Sequence, residues 1–139
     1  MLVLQIPSDT WITEYSETAH LLCFGKSKPA SFDRIDYALL AVHDDKPLAY
    51  VTVRELDPDT VYWQFGGVFP MMQKTLLVAR CYKQFIDFQT TLCHRISTCI
   101  ENTNLPMLRL AMAHGFKING IRNYQGILVE LLYEQATVK

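Results

Sequence analysis

The chain has 139 residues, half of them hydrophobic and 19% charged, with 13 basic against 14 acidic side chains and a formal net charge of −1. This length bounds one domain around a single buried core, and the apolar content excludes a disordered chain. The charge balance leaves no excess of Lys and Arg for phosphate, so a nucleic-acid footprint is not expected. No apolar run reaches the ~18 residues of a membrane span, and MLVLQIPSDTWITEYSET lacks the basic start of a secretory signal.

In chain order, Met1 to Ile6 is a short apolar strand, and Pro7-Ser8-Asp9 is a break with capping residues. Trp11, Tyr15, Ala19 and Leu22 recur at helical spacing through WITEYSETAHLLCF, and Gly25 ends that helix. KSKPASFD is a polar loop. Three strand-like segments follow, IDYALLAV, LAYVTVREL and VYWQFGGVFP, separated by HDDKP and DPDT. Connections this short make antiparallel hairpins. After Pro70 the period becomes helical, with Leu76, Ala79, Tyr82, Phe85 and Ile86 on one stripe. CHRISTCIE alternates Ile96, Thr98 and Ile100 on one face and reads as a strand. A helix from about Asn104 to His114 comes next, with Leu105, Leu108 and Met112 facing the core and Gly115 as its stop. FKINGIR and GILVELLYE form a closing hairpin. The order β-α-β-β-β-α-β-α-β-β over residues 1–139 is an α/β-type mixed, mostly antiparallel sheet in one domain, with helices on its faces.

The cysteines Cys23, Cys81, Cys93 and Cys99 show no CxxC or HxxxH partner. No zinc site is expected, and their hydrophobic surroundings read as reduced thiols. Trp63 and Tyr82 are read as core aromatics, with an interface role as the alternative. Gly66-Gly67 inside a strand marks a bulge or a close approach of backbone.

This order, together with three segments, resembles the Gcn5-related N-acetyltransferase (GNAT) superfamily. ALLAVHDDKPLAYVTVREL looks like the family's second and third strands. Val68-Phe69-Pro70 looks like the Val-x-Pro motif that ends the fourth. NLPMLRLAMAHGF matches the pattern of an Asn, a helix and Gly-Phe, with anchors Asn104, Gly115 and Phe116. The resemblance implies acetyl-CoA as cofactor, lying where strands four and five splay apart. It would be held by main-chain groups of Gly67, Val68 and Phe69 and around Asn104. Two departures stand out. The family's glycine-rich phosphate loop is replaced by MMQKT, where Gln73, Lys74 and Thr75 remain as phosphate contacts beside a helix start. The family's proton-donating tyrosine on the Asn-led helix is replaced by Ala111, which has no proton to donate.

Glu55 on the third strand, beside the expected cleft, is the weak candidate for a catalytic base. His43, Tyr124 and the pair Cys93-His94 are further candidates, each with a bland reading as a turn or strand-end residue. Two functions follow. One is a binding or assembly protein on a GNAT frame with a degraded acyl-CoA site. It would have a protein partner and look similar to the GNAT-like internal virion proteins of short-tailed phages. The other is an acetyl-CoA-dependent N-acetyltransferase acting on an amine. The expected location is the cytoplasm or a phage particle.

Overall fold

The computed structural model describes residues 1–26, 34–70, 77–123 and 125–136. Seven strands form one sheet in the order β1-β2-β3-β4-β5-β7-β6. They are β1 (Leu2–Pro7), β2 (Tyr37–His43), β3 (Lys46–Asp57), β4 (Thr60–Val68), β5 (Arg95–Glu101), β6 (Lys117–Asn123) and β7 (Ile127–Glu134). Every neighbouring pair is antiparallel except β4 with β5. The fold is therefore the mixed α/β sheet expected from the order of apolar segments. Asp44 and Asp45 take φ of 51° and 62°, the left-handed pair that a two-residue hairpin between β2 and β3 requires.

The helices divide between the two faces. On one lie α1 (Ser8–Thr10), a π-helical turn (Trp11–Tyr15) and α2 (Ser16–Phe24). They cover Ala38, Leu40, Tyr50 and Phe69 of the sheet with Trp11 and Ala19. On the other lie α3 (Leu77–Gln89) and α4 (Leu105–Ala113). Their Phe85, Ile86 and Ala111 join Leu39, Val53, Trp63, Ile96, Ile100 and Leu131 in the larger core. Trp63 and Tyr82 are both buried there.

Two expected helix faces are rotated. Tyr15 and Leu22 are exposed, whereas Trp11, Ser16, Ala19 and His20 are buried. The π-helical turn carries one residue more than an α-turn, so contacts at two places move on by one position, from 15 to 16 and from 22 to 23, while Ala19 stays buried and His20 joins it. On α4, Leu105 and Met112 are exposed. Leu108 packs against the core as expected, joined by Met107 and Leu110, and Ala111 has no exposed surface. The small side chain lets the helix seat on that stripe. The caps are as expected: Asn104 Oδ1 accepts from the Met107 N–H at 3.3 Å, and Gly115 leaves the helix at φ 100°.

One buried polar side chain ties the larger core together. Gln89 is fully buried; its Oε1 accepts from Trp63 Nε1 at 2.9 Å and its Nε2 donates to the Tyr37 hydroxyl at 2.7 Å. An apolar replacement of similar size strands an indole N–H in the core and removes the donor to a buried phenol. Gln89→Leu is expected to lower stability by about 2–4 kcal/mol in urea unfolding, from the cost of polar groups left unpaired. A loss below about 0.5 kcal/mol would show that the bridge carries no weight.

Candidate functional site

The parallel pair β4–β5 is short. Thr60, Val61, Tyr62 and Trp63 face Arg95, Ile96, Ser97 and Thr98, and there the pairing stops, although β4 runs on to Val68 and β5 to Glu101. The last rung is fastened by Thr98 Oγ1, which donates to the Trp63 carbonyl at 3.1 Å. Immediately beyond it β4 is bulged: Val53 faces Trp63 but Thr52 faces Phe65, so Gln64 is an extra residue. A bulge bends its strand and sharpens its twist, and here it carries residues 65–68 away from β5. The bulge expected at the glycine pair thus falls two residues earlier.

The glycines serve close approach instead. A Cβ on Gly67 would stand 3.0 Å from Cys23 Cβ and Sγ on α2 and from Tyr50 Cε1, and one on Gly66 would stand 3.0 Å from the Tyr50 carbonyl oxygen. Glycine at 67 is what lets α2 lie on β4. Burial in this contact pushes the Cys23 thiol up to about 11, so it stays protonated near neutrality.

The Phe69 N–H donates to the Leu48 carbonyl at 3.0 Å. Alternation along an antiparallel ladder then turns the amides of Gly67 and Phe69 toward β3, and the main-chain groups of Gly66 and Val68 toward the gap. Of the main-chain contacts expected from Gly67, Val68 and Phe69, the register keeps Val68 on the gap side and adds Gly66. It commits the Phe69 amide elsewhere. Asn104 lies just past the end of β5 and is occupied as a cap. Lys74, Thr75, Gln73 and Tyr124 lie outside the described residues.

Glu55 is not beside the gap. It faces Val61, within the stretch where β4 and β5 are still paired, so β3 carries it to the closed end of the sheet. The sheet reverses direction from β3 to β4, which puts the end of one beside the beginning of the other. Cys93 and His94 precede β5 at that same closed end, where the His94 N–H donates to the Asp59 carbonyl at 2.9 Å. His43 ends β2 at the open end but is two strands from the gap, exposed, with Nε2 3.5 Å from Asp44.

A group that the sequence reading passed over stands next to the gap. Tyr62 and Cys99 flank the last rung on β4 and β5, on the face opposite α3 and α4. Arg122 and Glu130 on β6 and β7 complete the set, with Arg122 Nε 2.9 Å from Glu130 Oε1. Burial, then the hydrogen bond and charge of Cys99, push the Tyr62 hydroxyl up to about 12, against the nearby guanidinium of Arg122. Strand alternation was the available signal: with Trp63, Thr98 and Leu131 inward, Tyr62, Cys99 and Glu130 must share the other face. Among the described residues no group of three or more His, Cys, Asp or Glu is placed to hold a metal ion.

No family model and no curated protein sequence matches the chain. Solved structures do match in shape. The fold is that of the GNAT acetyltransferases. An IAA acetyltransferase from Bacillus cereus superposes with a TM-score of 0.76 at 14% identity, over 96% of this chain and 98% of that one. A GNAT family acetyltransferase from Elizabethkingia anophelis with acetyl-CoA bound gives 0.75 at 16% identity, over 96% and 97%. The ribosomal-protein-S18-alanine N-acetyltransferase from Escherichia coli gives 0.75 at 13% identity, over 99% and 97%.

Gly67→Ala is expected to cost about 1–3 kcal/mol by forcing α2 off β4. The added Cβ would meet Cys23 Cβ and Sγ and Tyr50 Cε1, and Cys23→Ala removes only the sulfur, so the Sγ share of the clash should couple to Cys23→Ala by at least about 0.5 kcal/mol in a double-mutant cycle. Strict additivity would mean that the Cys23 thiol does not rest against Gly67.

Proposed function

We propose that the chain binds acetyl-CoA in the gap between β4 and β5 and transfers the acetyl group to an amine. The observation that carries this reading is the short β4–β5 ladder. Past Trp63 and Thr98 β4 and β5 no longer pair with each other, and the Gly66 main chain is turned to the opening. A backbone edge of this kind takes an extended, amide-bearing chain by strand-like hydrogen bonds, and acetyl-CoA has such an arm. The thioester supplies the activated acyl group. This chain's residues would align it along Gly66, with Lys74 and Thr75 proposed for the phosphates and Asn104 holding the start of α4.

The acceptor amine would arrive on the opposite face, at Tyr62, Cys99, Glu130 and Arg122. Glu130 supplies a carboxylate to orient an ammonium, and the Tyr62 hydroxyl, kept protonated, supplies a donor or acceptor of hydrogen bonds. Glu55, at the closed end, has no part in this scheme. Relatives in shape that are named as acetyltransferases, one with acetyl-CoA bound, support it.

A second reading is binding or assembly without turnover, as in a virion-associated GNAT frame with a protein partner. The buried Ala111 favours it, since α4 presents a methyl group where the resemblance expects a proton donor. Calorimetric titration with acetyl-CoA separates the frame from the function: the proposal expects a micromolar Kd, and no heat up to millimolar ligand would contradict it. Release of free CoA thiol with a panel of primary amines then separates the two readings. Turnover supports transfer, and tight binding without turnover supports the second.

A further inference from the structure

The closed end of the sheet, opposite the gap, holds a cavity of about 230 Å³. That is below the ~300–1,000 Å³ of sites for drug-sized ligands, so it suits a small molecule. Its wall is apolar at Val61 and Leu92 and polar at Tyr37, Glu55, Asp57 and Cys93.

The polar groups have unfilled capacity of a particular kind. The two carboxylates bring negative charge, and neither makes an ion pair with a described residue. One Asp57 oxygen accepts from the Asp59 N–H at 2.8 Å, which leaves the other. Glu55 is fixed through its backbone, whose N–H donates to Asp36 at 2.6 Å, while its carboxylate has no bond among the described residues. Tyr37 is only 6% exposed. Its oxygen accepts from Gln89, and no described residue accepts its proton. The Tyr37 hydroxyl, already bonded to Gln89, keeps its own proton to donate, and from the cavity wall it can give it to an acceptor on the occupant. The Cys93 thiol lies 3.3 Å from the Arg95 carbonyl and 3.5 Å from that of Gln89, so it is turned to the backbone and does not compete.

We propose that this cavity is a second binding site, for a small primary amine that also carries a hydroxyl. The ammonium is held by Glu55 and Asp57, the hydroxyl oxygen accepts from Tyr37, and the connecting methylenes lie on Val61 and Leu92. The site is independent of the acyl-CoA gap in chemistry but joined to it in structure. Tyr37 is bonded to Gln89, and Gln89 to the indole of Trp63, the residue at the last β4–β5 rung. Occupancy at Tyr37 is therefore reported at the Trp63 indole N–H.

The test is a ¹H–¹⁵N titration of the full chain with 4-aminobutan-1-ol, and with butan-1-ol as the uncharged comparison. The proposal expects saturable millimolar shifts at the amides of Tyr37, Asp57 and Cys93 and at the Trp63 indole, from the amino alcohol alone. Glu55→Gln with Asp57→Asn, both at the surface and expected to leave the melting temperature unchanged, should weaken binding by about tenfold or more. Tyr37→Phe should silence the indole response. Absence of saturable shifts, equal response to butan-1-ol, shifts centred on Gly66 and Val68, or undiminished binding by the carboxamide variant would each overturn it.

Discussion

Four rungs of parallel ladder, from Thr60 against Arg95 to Trp63 against Thr98, are the constraint on which the site depends. A fifth rung would begin to close the gap; fewer would leave the two halves of the sheet poorly joined. The stop is built from three local features. Thr98 fastens the last rung to the Trp63 carbonyl. Gln64 adds a residue that bends β4. The two glycines then let β4 come close to Tyr50 and α2 without side chains of its own. Together they turn the Gly66 edge of β4 away from β5 in the middle of a sheet, where neighbouring strands are ordinarily paired.

The two ends of this sheet are chemically different. The open end offers main-chain groups and, on one face, a phenol beside a thiol and a carboxylate paired with a guanidinium. The closed end offers carboxylates around a cavity. Gln89 spans the distance between them in the buried core, and it is among the few fully buried polar side chains. Burying an amide in an apolar core is favourable only when its bonds are made. Trp63 and Tyr37 make them, so the bridge fixes the position of both ends relative to α3.

Much of this was legible in the sequence because it depends on local periodicity. The alternation of Ile96, Thr98 and Ile100 gave β5 its faces, and Asn104 with Gly115 bounded α4. What escaped has a non-local or sub-period cause. The π-helical turn at Trp11–Tyr15 adds one residue, which no apolar count reveals, and it moved the buried stripe from Tyr15 and Leu22 to Ser16 and Cys23. Ala111 did not register as the centre of a helix face because its side chain is small. Glu55 lies at the closed end because strand direction decides whether the end of β3 meets the beginning or the end of β4, and a run of apolar residues carries no sign of that direction. Tyr62, Cys99, Arg122 and Glu130 come from four strands, and only the sheet order brings them together.

The central claim is that β4 beyond Trp63 presents backbone to a ligand and not to β5. Amide hydrogen exchange, followed residue by residue with and without saturating acetyl-CoA, tests it most directly. The account predicts that the Gly66 amide exchanges rapidly in the free protein and slows when acetyl-CoA is added, while Gly67 and Phe69, bonded to β3, are protected throughout. A Gly66 amide already protected without ligand, or one that stays fast at saturation, would contradict it.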